Sequence, residues 1–269
     1  MSKNSLQVTV RNPPPPPRGA LVLGGESGSR AVALAVGHGR LTATVLSPEG
    51  GPQSGLKVAF VAGSRTIPAK PCGLGCYSAA AAASRRVILK VNGSPSVAFS
   101  LPARPKPAAA IVRRAASATR ALHSLVYLES LRSGPTGGLL TTWSLKAPNE
   151  VEYRIKGGAD AVVLGTKRWD RDHPGGPWRR SQQLPALTVP EPAWGATATN
   201  AYLLGDGSVH GKPVWIVSFA NPNTPAWFTA WIDKQTHLPL QLRMTAAAHF
   251  MFHRYLEFNA PLKIVPPHS

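Results

Sequence analysis

From Ala20 to Pro102 the chain alternates short apolar runs with clusters of turn-forming residues. The runs predict strands at Ala20 to Leu23, Arg30 to Val36, Leu41 to Leu46, Leu56 to Val61, Val87 to Val91 and Ser96 to Leu101. Between them stand Gly24-Gly25, the Ser47 to Gly51 stretch and Asn92-Gly93, the last a dipeptide favoured in tight hairpins. Six short strands in about eighty residues suggest a small β-sandwich.

The pattern changes after Ala103 to Pro107, a second proline-bearing linker. Ile111, Ala115, Ala118, Leu122 and Leu125 recur at three- and four-residue steps and predict an amphipathic helix from Ala108 to Ser133, ended by Gly134-Pro135 and Gly137-Gly138. Strand patterns then return at Leu139 to Leu145, Val151 to Ile155, Ala161 to Trp169, Trp178 to Gln182, Ala201 to Leu204, Pro213 to Phe219, Trp227 to Asp233 and Leu238 to Phe258. Gly205-Asp206-Gly207 and Asp233-Lys234-Gln235 fall where hairpin turns are needed. Within the last run, Met244, Ala246, Ala248, Phe250 and Phe252 share one parity, and His249, Met251, His253 and Tyr255 the other. The predicted fold is mainly β: a small sandwich over residues 20–102, then a curved antiparallel half-barrel packed on a long helix over 108–266. Residues 1–19, with five consecutive prolines from Pro13 to Pro17, read as a stiff linker.

Composition supports two units with different cores. All seven Trp lie after residue 140, while the first hundred residues are dominated by small aliphatic residues, Gly and Pro. The net charge is +18, with twelve Lys/Arg against two acids in residues 1–104 and eighteen against ten thereafter. Such a charge favours polyanionic surroundings. The cations stand singly or in pairs without interleaved aromatics, which argues against a nucleic-acid partner and for a diffuse basic surface.

Cys72 and Cys76 are the only cysteines, in Pro-Cys-Gly-Leu-Gly-Cys-Tyr. Their closeness and the Gly-rich gap favour a disulfide over two free thiols, and zinc would need two further ligands where no His is near in sequence. A disulfide would imply an extracytoplasmic location. The N-terminal stretch shows no apolar core of a signal peptide, and no run is long enough for a membrane span. The expectation is therefore either a cytosolic protein or the soluble part of a larger one whose membrane anchor precedes it.

Several patterns in the second unit are familiar: Trp143 with Ala147-Pro148-Asn149, Trp169-Asp170 followed by Trp178, Trp231-Ile232-Asp233 with Thr236, Leu238 and Pro239, and the closing Asn259-Ala260-Pro261. They resemble the LolA-type lipoprotein-carrier superfamily, in the versions found at the C-terminal end of CopD-type copper-resistance membrane proteins. The first unit, with Pro71-Cys72-Gly73 and Gly75-Cys76-Tyr77, is similar to the small immunoglobulin-like domains that can precede it there. The resemblance implies an extracytoplasmic, sheet-rich protein whose half-barrel holds an apolar ligand, beside a membrane surface or membrane-protein partner.

Two sets of residues carry candidate chemistry. Trp143, Trp169, Trp215, Trp227, Trp231 and Phe250 are candidates to line a pocket for a lipid or acyl chain, or else to fill the core between helix and sheet. His249, Met251 and His253, at alternate positions, combine imidazole and thioether donors that suit copper, although packing or surface exposure explains them equally well. No resident cofactor is otherwise indicated. Asp170 and Asp172 sit among Arg168, Arg171 and His173 and read as an ion-paired turn. No nucleophile elbow, phosphate loop or His-Glu-x-x-His motif occurs, so no enzymatic activity is expected. The alternative to a ligand carrier is a structural interaction domain with a filled barrel.

Overall fold

The computed structural model describes residues 12–82, 84–195, 197–221 and 224–267. Most of the expected N-terminal linker, residues 1–11, lies outside the described residues. The first unit comprises β1 (Leu21–Ser27), β2 (Arg30–Gly37), β3 (Arg40–Leu46), β4 (Val58–Ala62), β5 (Arg65–Pro68), β6 (Lys70–Gly73), β7 (Cys76–Ala80), β8 (Arg86–Val91) and β9 (Val97–Ser100). They form a five-stranded sheet in the order β1-β2-β3-β7-β6 and a four-stranded sheet in the order β5-β4-β8-β9. Leu34, Leu41 and Val45 of the first meet Phe60, Leu89 and Phe99 of the second in a closed core.

The second unit follows as β10 (Lys106–Pro107), α1 (Ala109–Arg120), β11 (Ser124–Arg132), β12 (Leu139–Lys146), β13 (Glu150–Ile155), β14 (Asp160–Leu164), β15 (Lys167–Arg171), β16 (Arg179–Gln182), β17 (Thr199–Val209), β18 (Lys212–Asn221), β19 (Ala226–Asp233), β20 (Pro239–Ala246) and β21 (His249–Phe258). These strands make one open, curved antiparallel sheet of twelve, in the order β10-β17-β18-β19-β20-β21-β11-β12-β13-β14-β15-β16. The expected linker at 103–107 thus contributes an edge strand, Lys106 facing Leu203 and Pro107 facing Tyr202. Among the described residues no helix is long and apolar enough to cross a membrane.

The expected helix is cut to twelve residues. Residues 124–132 instead form β11, which pairs with β12 on one side and β21 on the other. The segment Ser-Leu-Val-Tyr-Leu-Glu-Ser-Leu-Arg fits both periods, and two flanking ladders decide in favour of the strand. The expected strand from Leu238 to Phe258 is a hairpin. Ala246 pairs with His249, and Ala248 takes a left-handed φ of 56°. A turn made of two alanines lacks the usual Gly, Asn or Pro signal, so the reversal was hidden. The consequence is a change of face: Met244 and Ala246 lie with Met251, while Phe250 and Phe252 face the other way.

Two further turn signals fall inside strands. The Gly205-Asp206-Gly207 stretch belongs to β17, and the chain reverses instead at His210-Gly211, both with positive φ (50° and 79°). Gly24-Gly25 lies within β1 because that strand is squeezed from both sides. A Cβ on Gly24 would come within 2.9 Å of Thr245 and Trp227 of the large sheet, and one on Gly25 within 2.8 Å of Val97. Glycine there permits close approach of two layers.

That approach joins the units. The outer face of the five-stranded sheet presents Ala20, Val22, Ala31, Ala33, Ala35 and Leu46 to Ala220, Trp227 and Phe250 on the convex face of the large sheet. The small residues that dominate the early sequence are what allows the two sheets to pack so tightly. The layers run from the four-stranded sheet through the five-stranded sheet and the large sheet to α1. The proline run is seated beside this junction: Asn200 Nδ2 donates to the carbonyls of Pro17 and Ala20, both at 2.8 Å, and the Tyr202 hydroxyl donates to Gly19 O at 2.6 Å.

Candidate binding site on the concave face

The register separates the expected ligand-lining residues. Trp215 pairs with Ile232, and Trp143 with Tyr127 and Tyr153, which sets both on the face toward α1. Trp227, Trp231 and Phe250 lie on the convex face, as does Trp169, which pairs with Val162. Trp227 and Phe250 are buried against the first unit, and Trp231 packs edge-on to Phe252 with ring centroids 6.4 Å apart. The six residues therefore do not line one pocket. Strand alternation gave their parity within each run, but the hairpin at Ala247-Ala248 and the sheet order decided which parity faced which layer.

The concave face has two zones. In the first, over β17 to β20, α1 lays Val112, Ala115 and Ala116 onto Val217, Phe219, Phe228, Ala230 and Leu242. Phe219 stacks on Phe228 at 5.2 Å, and Trp194, from the segment between β16 and β17, meets Phe219 edge-on at 5.4 Å. The helix covers its strands but not the approach from this segment. A groove of about 540 Å³ opens between α1 and the side formed by Trp194, Thr197, Ala198, Thr199 and Ala201. Val112, Ala116, Trp194 and Ala201 form its apolar wall, and Arg113 and Arg120 stand at its rim. Arg120 is held by Glu191, with Nε 2.9 Å from either carboxylate oxygen, whereas Arg113 has no ion pair among the described residues.

In the second zone, over β21, β11, β12 and β13, the same face carries a lane of aromatic and ionic side chains. Tyr127 lies 4.7 Å from the His253 ring, 5.6 Å from Tyr255 and 6.0 Å from Trp143, and Trp143 lies 4.9 Å from Tyr153. His253 Nε2 is 2.9 Å from Glu129, both side chains being largely buried. Burial, reinforced by Glu129, pushes the Tyr127 and Tyr255 hydroxyls well above the ordinary phenol range. Trp143 Nε1 is buried with no hydrogen-bond partner among the described residues. Farther along, Arg168 is bound to Asp170 at 2.6 Å, which holds its guanidinium in the charged form.

The candidate copper donors fall on one parity of β21 but in different surroundings. His249 is exposed with its ring 3.2 Å from Ala247 O, while Met251 and His253 are buried and His253 is engaged by Glu129. Among the described residues no group of three His, Cys, Asp or Glu side chains is placed to hold a metal ion. Cys72 and Cys76 are joined as a disulfide across the β6–β7 turn. Asp170 and Asp172 pair with Arg168 and Arg179.

Sequence reasoning missed the groove residues Val112, Ala116 and Trp194, and Tyr127, Glu129, Tyr153 and Tyr255 of the lane. Tyr127 and Glu129 were hidden by the helical reading of 124–132. Trp194 stands in a Pro- and Gly-rich stretch with no alternation to orient it; its aromatic character was the one available signal.

No protein-family model matches the chain, and no curated protein sequence does. Among solved structures it is similar to LprF from Mycobacterium bovis, at 15% identity over 61% of this chain and 99% of that one, with a TM-score of 0.45. It is also similar to the lipoprotein LppX of Mycobacterium tuberculosis, at 14% identity over 58% and 97%, with a TM-score of 0.45. A LolA superfamily protein from Nitrosomonas europaea aligns at 11% identity over 60% and 96%, with a TM-score of 0.28.

Proposed function

We propose that the protein is a non-enzymatic, extracytoplasmic binding module that holds an apolar chain with an acidic head, such as a fatty acid, in the groove beside α1. The observation that carries this reading is the groove itself: its volume lies in the range of small-molecule sites, its wall is aliphatic and aromatic, and its rim carries Arg113. Apolar contact on Val112, Ala116 and Trp194 is non-directional and suits a flexible chain, and the arginine supplies the polar anchor. The Cys72–Cys76 disulfide supports an oxidising compartment.

Displacement of a fluorescent fatty acid from the purified, delipidated chain tests the reading. Ala109→Trp, at an exposed position on the groove wall, is expected to weaken binding by about tenfold by filling the space. Arg113→Glu is expected to weaken a carboxylate more than the matching alcohol. A parent protein that takes up no such probe would instead favour the filled structural domain, and an A109W variant that binds like the parent would put the probe outside this groove and overturn the reading. A link to copper handling has one supporting observation, the shared parity of His249, Met251 and His253 on β21. Copper titration of the His249→Ala, His253→Ala variant tests it, and binding equal to the parent's removes it.

A further inference from the structure

From Gly50 to Leu128 the chain contains no acidic residue, and six Lys/Arg fall between Ser54 and Leu101. This span holds β4, β5, β8 and β9 of the four-stranded sheet, with β6 and β7 of the five-stranded sheet between them, and the outward face of the four-stranded sheet is the outermost layer on the side opposite α1. The register sets one uncharged row across all four strands: Thr66, Val61, Ile88 and Ala98. Pro68 and Ala59 extend it in the neighbouring row, which ends on Lys90. Ile88 and Val61 are half-buried and Ala98 exposed, and no aromatic side chain stands in these rows. Arg86 flanks the uncharged row on the other side, with Arg65, Arg85 and Lys57 at the strand ends, all exposed. None of these cations has an ion pair among the described residues.

A solvated sheet face is ordinarily studded with polar residues of both signs. This one has a low aliphatic centre inside a ring of unneutralised cations. We infer that the outward face of the four-stranded sheet docks on an anionic lipid bilayer, its cations among the headgroups and the Val61–Ile88 row against the interfacial apolar zone. A nucleic acid would use the cations but would leave the aliphatic row without a partner and would find no aromatic platform. Each Lys or Arg close to an anionic membrane contributes modestly, so several acting together are needed. The layer order then turns the α1 groove away from the membrane. This inference does not depend on what the groove holds.

Co-sedimentation of the full chain with vesicles tests it, using phosphatidylcholine alone and phosphatidylcholine mixed with phosphatidylglycerol. Binding is expected with the mixed vesicles only and is expected to fall with salt. Arg86→Glu with Lys90→Glu, both exposed, should weaken it by at least about tenfold. Arg179→Glu with Arg180→Glu, on the far edge strand β16, changes the net charge equally and should weaken it by less than about twofold. Ile88→Ser should reduce binding while leaving the salt dependence intact. Absence of vesicle binding, or equal loss in the two charge-reversed variants, overturns the inference. So does a short DNA duplex that binds the parent more tightly than the mixed vesicles do and loses affinity in R86E/K90E.

Discussion

The two zones of the concave face are built from adjacent strands of one sheet, yet they are filled by different means. Over β17 to β20 the inward residues are Val217, Phe219, Phe228, Ala230, Ile232 and Leu242, and α1 seals them almost completely. Over β21, β11, β12 and β13 the same face carries Met251, His253, Tyr255, Glu129, Tyr127, Trp143 and Tyr153 beside the buried aliphatics Leu125, Leu145 and Val151, and the cover is partial, with Leu187 and Val189 packing from a loop against those aliphatics. A twelve-residue helix is too short to seal a twelve-stranded trough. At about 1.5 Å per residue it spans less than 20 Å. The zone that α1 does not reach is filled instead by large side chains, with the Tyr127 and Tyr255 hydroxyls and Trp143 Nε1 drawn into the packing.

Phe219→Ala, in the sealed zone, should cost about 3–5 kcal/mol in urea unfolding, because a rigid core collapses poorly around a lost ring. Tyr153→Ala, in the open zone, should cost clearly less; equal losses would mean that the two zones are equally packed. Glu129→Gln should cost about 1–3 kcal/mol, since it leaves His253 buried with a poorer partner. Gly24→Ala tests the opposite face of the same sheet. It should destabilise by about 1–3 kcal/mol, as the new methyl group meets Trp227 and Thr245 across the junction of the units.

The smallest effect at neutral pH concerns the tyrosines. Tyr127 and Tyr255 have folded-state values raised above the unfolded phenol, chiefly by burial. The stabilisation tied to their neutral form is fully present below about pH 10 and is lost as pH rises toward the folded values. Ultraviolet titration of the folded chain should therefore show the tyrosinates of Tyr127 and Tyr255 only as the protein unfolds in alkali. Ionisation of all five tyrosines near pH 10 without unfolding would show the lane to be open to solvent.

Much of the architecture could be read from the chain. Alternating runs located most strands, and Asp233 forms the expected turn by accepting from the amides of Gln235 and Thr236. The shortfalls share a cause. At Ser124 to Arg132 and at Ala247-Ala248 the local signal is ambiguous or absent, at Gly24-Gly25 it points to a turn that the layers override, and the expected strand Ala161 to Trp169 reverses at Gly165 into the β14–β15 hairpin; in each case long-range contacts decide. The candidate site was less legible still, because Trp194 and Val112 meet only after residues far apart in sequence are folded together.

Local pattern and composition account for a mainly β chain with one Ala-rich helix among the described residues, small residues in its first hundred positions against tryptophans after residue 140, a net charge of +18 and two neighbouring cysteines. These follow from side-chain period, turn chemistry and charge, which are properties of short stretches. Tertiary structure alone decided which parity of each strand faces α1, where the helix stops, and that small residues on the first unit serve to seat it on the convex face of the large sheet. Those outcomes depend on sheet order and on two layers approaching closely enough to exclude a methyl group, and neither is encoded within any single run of residues.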